Sequence, residues 1–184
     1  MYSREIDRAL AVASVAHEGQ VRKNSDGVPY FIHPVHVALM LARLGLDEIC
    51  IQAGLLHDVV EDCDGWTVER VELEFGAEVS VVVAELSEDK SKTWEERKRA
   101  GIDHVPHMHE RAVAVKAADK LHNLSSLLRD LQAAQDPAEI WSKFNGGRQR
   151  TLEMAAELVE ALALRAEPRM ATALRAVMTE LEQY

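Results

Sequence analysis

Apolar residues recur at intervals of three and four along nearly the whole chain, the spacing of helices that each bury one face. Ile6, Ala9, Leu10 and Ala13 share one side of a first helix that Ser3 can cap, running to about Ala16 with Gly19 ending it. Residues 20–32 hold Gly27 and Pro29 among polar neighbours and read as a loop with a short extended piece. Pro34 suits the first turn of a second helix and Gly45 its end. Asp47 can cap a third, predicted to continue to about Asp62. Asp64-Gly65 is a turn signal, and Thr67 can cap a short helix stopped by Gly76. Residues 77–86 include VSVVV, a run that could be a strand. In so helical a chain it reads as buried helix.

Residues 87–109 have the least regular pattern, with a loop expected around Asp89 to Thr93, a helical piece around Glu95 to Ile102, then another loop. A long helix follows over residues 110–131. Asp136-Pro137 starts another, broken at Gly146-Gly147, and two more are separated near Pro168. No internal repeat, low-complexity tract or linker is evident. The expectation is one all-α domain over residues 1–184, with its motifs in about 1–131 and further helices over about 137–184.

Composition narrows the class. A chain of 184 residues that is 47% hydrophobic can bury a sizeable core. No uninterrupted apolar run reaches a membrane span, and MYSREIDRAL lacks the features of a secretory signal. Only Cys50 and Cys63 are present, which fits reduced thiols in a cytoplasmic protein. The net charge of −10, from 31 acids against 21 bases, argues against a nucleic-acid partner. It leaves room for an anionic small molecule held by a local basic patch and a metal. The oligomeric state stays open.

One stretch resists the reading of a solvated acidic face. LLHDVVEDC, residues 55–63, sets His57, Asp58, Glu61 and Asp62 into an apolar run with no lysine or arginine. On a helix with His57 at 0°, Asp58 falls at about 100°, Glu61 at about 40° and Asp62 at about 140°. Leu55, Leu56, Val59 and Val60 take the other side. Three carboxylates this close repel unless a positive charge sits among them, and a divalent metal supplies it economically. A second helix, VKAADKLHNL over residues 115–124, puts Lys116, Asp119, His122 and Asn123 on one face and Ala117, Ala118, Leu121 and Leu124 on the other. A third piece, PYFIHP, places His33 just before the proline that opens a helix.

Taken together, these stretches resemble the HD-domain phosphohydrolases, which are marked by a histidine, an adjacent His-Asp pair and a distant Asp on one metal. The likeness is closer to the alarmone hydrolases of the RelA/SpoT type. It is carried by AHEGQVRKNSDGVPYFIHP (16–34), GLLHDVVEDC (54–63), Phe75-Gly76 and KAADKLHNL (116–124), in that order. The chain is too short for the synthetase and regulatory regions of long members and is similar to the small, hydrolase-only ones. The last fifty or so residues carry no recognisable motif.

The resemblance implies an HD-domain helical bundle with metal ligands His33, His57, Asp58 and Asp119. Two nitrogens and two carboxylates suit manganese, though iron, cobalt or zinc would also fit. It implies catalytic roles for Glu61 and Asp62, and substrate contacts for Arg22, Lys23 and Asn123. Lys90 is the loop base assigned to phosphate, from a set that also holds Lys92, Arg97 and Lys98. The implied reaction is hydrolysis of guanosine 3′,5′-bis(diphosphate) or its pentaphosphate to GDP or GTP and pyrophosphate. The alternatives are another phosphate ester, such as a nucleoside monophosphate or NADPH, and a nucleotide-binding module without catalysis.

Several residues have a plainer reading. His104, His107 and His109 read as surface histidines, Trp141 and Phe144 as core, and His17 and His122 as supports of the site. His36 could face either the site or the core.

Overall fold

The computed structural model describes residues 2–23 and 27–184. The tip of the loop expected over 20–32, residues 24–26, lies outside the described residues. The chain is all-α. Among the described residues the only β pairing is an isolated antiparallel bridge between Val21 and Pro29, which is the short extended piece expected in that loop.

The helices start where local chemistry starts them. Ser3 caps α1 (Arg4–Ala16) by accepting from the Ile6 N–H, Asp47 caps α3 (Glu48–Leu56) and Thr67 caps α5 (Val68–Phe75). Each such cap satisfies an N–H that has no partner inside the helix, typically worth about 1 kcal/mol. Helix α2 (Ile32–Arg43) carries Pro34 in its first turn. The run containing VSVVV is helix α6 (Ala77–Leu86), with Val79, Val82 and Val83 buried.

Four boundaries differ from expectation. The helix predicted from Asp47 to Asp62 is broken at His57-Asp58 and resumes as α4 (Val59–Asp62). The piece expected over 95–102 is longer, α7 (Trp94–His104), because Thr93 and Glu96 form a capping box at its start. A single 3₁₀ turn, Val105–His107, follows in place of an open loop. Helix α8 (Glu110–Ala133) is the long helix. The helix that Asp136 caps, α9 (Pro137–Trp141), stops well before Gly146-Gly147. Helices α10 (Gly147–Ala163) and α11 (Pro168–Leu181) complete the chain.

Helices α3 and α8 organise the packing. Helix α3 lies against α1, α2, α6 and α8, while α8 also packs on α10 and α11. Their apolar faces meet in one contiguous core that includes Leu41, Leu55, Leu56, Leu131, Leu162 and Leu174, all essentially inaccessible. Gly54 lets α3 sit close on α2: a Cβ there would lie 2.6 Å from the Leu41 side chain. The consequence is local. The start of α2, the end of α3 and the middle of α8 converge at one place.

Candidate functional site

That place holds His33, His57, Asp58 and Asp119. His33, His57 and Asp58 offer ligand atoms that all lie within 4.8 Å of one another. Asp119 Oδ1 lies 3.1 Å from His33 Nε2 and 3.9 Å from His57 Nε2. Asp58 Oδ2 lies 3.5 Å and 3.1 Å from the same two nitrogens. The break in the helix explains how adjacent residues serve one point. On a straight helix His57 and Asp58 would diverge by about 100°. Asp58 instead takes φ −98° and ψ −9°, outside regular helix, and its carboxylate turns back toward the His57 ring.

Hydrogen bonds on the far side of each ring fix its orientation. His57 Nδ1 donates to the Gly54 carbonyl at 2.8 Å, so in the neutral, metal-binding form of the ring Nε2 carries the lone pair. That Nε2 is buried and has no hydrogen-bond partner. His33 Nδ1 lies 2.8 Å from His122 Nδ1. Burial, together with the charges of His33, Arg22 and His36, pushes His122 down to about 3, so it stays neutral and one of the two facing Nδ1 atoms donates to the other. The Nε2 atoms of both rings face the two carboxylates.

The electrostatics demand positive charge between them. Burial opposes ionisation of His57, yet Asp58 and Asp119 outweigh it and raise its pKa well above the ordinary value. Burial likewise opposes the Asp119 carboxylate, but the His33 and His57 rings beside it hold it well below the usual range. An orphaned buried nitrogen, a second lone pair and two carboxylates make a donor set that fits a divalent cation.

A supporting shell surrounds this set. Tyr30 donates its hydroxyl to Asp58 Oδ2 at 2.6 Å, and burial and that carboxylate push the phenol pKa far up. Asn123 donates to Asp119 Oδ1 at 2.5 Å and accepts from Arg22 at 2.8 Å. The Arg22 guanidinium also lies over the Tyr30 ring, 5.5 Å from its centre. Tyr30 was not singled out in the sequence, although it sits in PYFIHP three residues before His33. Its role is invisible to a helical projection because it lies in the loop before α2.

Glu61 and Asp62 stand one turn beyond the pair. Burial raises the Glu61 pKa, the Glu88 N–H donating to its Oε2 at 3.2 Å partly offsets this, and the Glu88, Asp62 and Asp58 carboxylates raise it further. Lys90 does not stand apart as a loop base: its ammonium bonds to Asp62 Oδ1 at 2.8 Å and to the Glu61 carbonyl at 2.5 Å. Lys98 and Arg97 pair with Glu88, at 2.6 Å and 3.4 Å. Lys23 is exposed beside Arg22.

The plainer readings also resolve. His104, His107 and His109 are exposed, and among the described residues no second metal-holding group includes them. Trp141 is buried against Phe144 and donates to the Tyr184 carbonyl. His36 is exposed and meets His122 edge-on. His17 supports the site through the Tyr30 ring, 4.9 Å away.

Comparison with known proteins gives matches along most of the chain. The family described as HD domain matches residues 9–152. Guanosine-3′,5′-bis(diphosphate) 3′-pyrophosphohydrolase MESH1 of Homo sapiens is 42% identical over 156 residues, covering 84% of this chain and 82% of that protein. The MESH1 of Xenopus tropicalis is 43% identical over 123 residues, 66% of this chain and 68% of that one. A solved structure described as a metazoan orthologue of SpoT that hydrolyses ppGpp and plays a role in starvation responses superposes with a TM-score of 0.83. It is 32% identical and covers 98% of this chain and 97% of its own. A crystal structure of a Listeria monocytogenes EGD-e protein gives a TM-score of 0.71 at 31% identity, with 82% and 97% covered.

Proposed function

The chain belongs to the HD-domain family, in its branch of small MESH1-type hydrolases, and from that membership and the geometry above we propose that it hydrolyses guanosine 3′,5′-bis(diphosphate), or the pentaphosphate, to GDP or GTP and pyrophosphate. The observation that carries the reading is the buried His57 Nε2 without a partner, facing His33, Asp58 and Asp119, with Glu61 and Asp62 one turn away. We take the whole chain as one domain, a reading supported by its contiguous core.

His33, His57, Asp58 and Asp119 are the proposed ligands, and manganese the proposed metal, on the match of two nitrogens and two carboxylates to its preferences. A divalent cation held there supplies Lewis acidity, making water a competent nucleophile near neutral pH and polarising a phosphoryl oxygen. The protein does the rest. Glu61 Oε2 is occupied by the Glu88 N–H, which leaves Oε1 to take the proton from the attacking water. The water oxygen bonds to the phosphorus next to the ribose, the bond from that phosphorus to the 3′ oxygen breaks to release pyrophosphate, and the 3′ oxygen becomes a hydroxyl by taking the proton that Glu61 received.

Asp62, held by Lys90, orients the water. Arg22 and Lys23 meet substrate phosphate or base, with Asn123 fixing Arg22 relative to Asp119. Lys90 reaches phosphate only by sharing its contact with Asp62.

We place the protein in the cytoplasm, in a stringent-type response that removes the alarmone. Two free, buried cysteines suit a reducing compartment. No described helix is long and apolar enough to cross a membrane.

A product assay tests the activity. Metal-stripped protein is incubated with guanosine tetraphosphate, with and without manganese, and the nucleotides are separated by anion exchange. NADPH and a deoxynucleoside monophosphate run alongside. GDP and pyrophosphate appearing only with metal is the expected result. Phosphate released only from another substrate would keep the metal centre and discard the alarmone.

A further inference from the structure

Glu88 has no part in the proposed reaction beyond its N–H, yet its carboxylate is the hub of a buried-side ion cluster. It stands just past the end of α6, in the segment that joins α6 to α7. Ser87 closes α6: its N–H and its hydroxyl both donate to the Val83 carbonyl, at 3.2 Å and 3.0 Å, and its ψ of 131° turns the chain out of the helix. Thr93 and Glu96 open α7 with their capping box. Between these two local caps the segment reaches across to α4. The Glu88 N–H donates to Glu61 Oε2 at 3.2 Å, and Lys90 holds the Glu61 carbonyl and Asp62.

This contact brings a second carboxylate near Glu61. The Glu88 charge is one of the causes that raise the Glu61 pKa, and two anions held close repel. Cations on α7 remove the conflict. Lys98 Nζ donates to Glu88 Oε1 at 2.6 Å, and Arg97 lies 3.4 Å from Oε2. Burial opposes ionisation of Glu88, but the Lys98 bond and charge, followed by Arg97 and Lys116, hold its carboxyl below the usual range. Lys98 is the main anchor. Arg97 makes the longer contact, and its Nε is buried without a hydrogen-bond partner.

Without the Lys98 ammonium, Glu88 would stand poorly neutralised beside Glu61. The joining segment over 87–93 has the fewest packing contacts to hold it there, so the segment yields. Glu61 Oε2 then loses its N–H, and the carboxylate is free to rotate.

We propose that Lys98 is a positioning residue: paired with Glu88, it holds the α6–α7 segment on α4, so that Glu61 keeps one oxygen bound and the other free for the attacking water. This deepens the reaction proposed above and rests on the role given there to Glu61. It also takes Lys98 out of the bases that could meet substrate phosphate, because its ammonium is committed to Glu88.

Two measurements on the full chain test this, and one needs no turnover. In isotope-labelled protein the Glu88 amide proton is followed by NMR, and Glu61→Gln, which weakens its acceptor, calibrates the response. Lys98→Met should move that proton upfield as Glu61→Gln does and speed its exchange with solvent, and Lys98→Arg should restore both. The second measurement is of kcat and KM with guanosine tetraphosphate at saturating manganese. Lys98→Met should lower kcat about tenfold or more with KM within about twofold of the parent, the pattern of a misplaced catalytic group and not of a lost substrate contact. Lys98→Arg, which keeps the charge, should recover most of kcat. Should Lys98→Met fail to fold, Lys98→Gln, which keeps a donor and loses the charge, decides by the same readings. An unmoved Glu88 amide, parental kcat, or a raised KM at parental kcat would each overturn the proposal. A parent that turns over no alarmone would strike the proposed reaction instead, and the amide measurement would then decide the role of Lys98 alone.

Discussion

Tyr30 and Asp58 are joined by a 2.6 Å hydrogen bond that ties the loop before α2 to the turn between α3 and α4. It fixes which way the Asp58 carboxylate faces, and so helps place a proposed ligand. Loss of such a support typically lowers metal affinity by about 10–100-fold. Tyr30→Phe should therefore keep the fold and lose manganese affinity on that scale, as read by competition with a chelating indicator. Unchanged affinity would remove Tyr30 from the ligand support.

Gly54 sits where α3 crosses α2. A Cβ there would meet Leu41 Cδ1 at 2.6 Å and Val37 Cγ1 at 3.4 Å, and both of those side chains are fully buried. Gly54→Ala should destabilise the fold by about 1–3 kcal/mol through overpacking. It should also weaken metal binding, because it spreads the helices that hold the His33 and His57 rings 5.2 Å apart. Urea unfolding and metal titration read the two effects. A variant as stable and as metal-competent as the parent would show that the close crossing is dispensable.

Asp58 and Glu61 separate holding a metal from using it. Asp58→Asn should lose metal and turnover together. Glu61→Gln should retain metal while turnover falls by roughly 10²-fold or more, the usual scale for general acid-base work. Metal content by atomic absorption, set beside GDP formation, distinguishes the two. Normal metal in the first variant, or near-parental turnover in the second, would reverse the assignment.

Cys63 sits beside His17, its sulfur 3.4 Å from Nδ1. Burial, and after it Asp62, pushes the thiol up to about 11, despite the opposing hydrogen bond from Gln20. Burial pushes Cys50 up to about 12. The thiolate is the reactive form, so both should resist iodoacetamide at pH 8, with the rate at Cys63 rising as pH approaches 11. Mass spectrometry of the alkylated protein follows it. Rapid modification of Cys63 at neutral pH would show that its surroundings do not suppress the thiolate.

Much of this molecule is written locally. The period of Ile6, Ala9, Leu10 and Ala13, the caps at Ser3, Asp47, Thr67 and Asp136, and the turn at Asp64-Gly65 all appear where their own neighbours dictate. They do so because helix starts and turns depend on hydrogen bonds and backbone freedom within a few residues. The polar faces around His57-Asp58 and Asp119 were legible for a related reason, since each lies opposite an apolar side that must face a core; the set His33, His57, Asp58 and Asp119 as ligands came from the resemblance to the HD-domain family.

Tertiary structure decided what those residues do to one another. A continuous helix through Asp62 would have aimed His57 and Asp58 apart, and the break between α3 and α4 brings them to one point. The pairing of His33 with His122, that of Arg22 with Asn123 and the seat of Lys90 on Asp62 join positions 28 to 101 residues apart. Periodicity specifies which face of a helix is buried. The separation and rotation of neighbouring helices follow from how their side chains interlock, and those determine which polar groups meet.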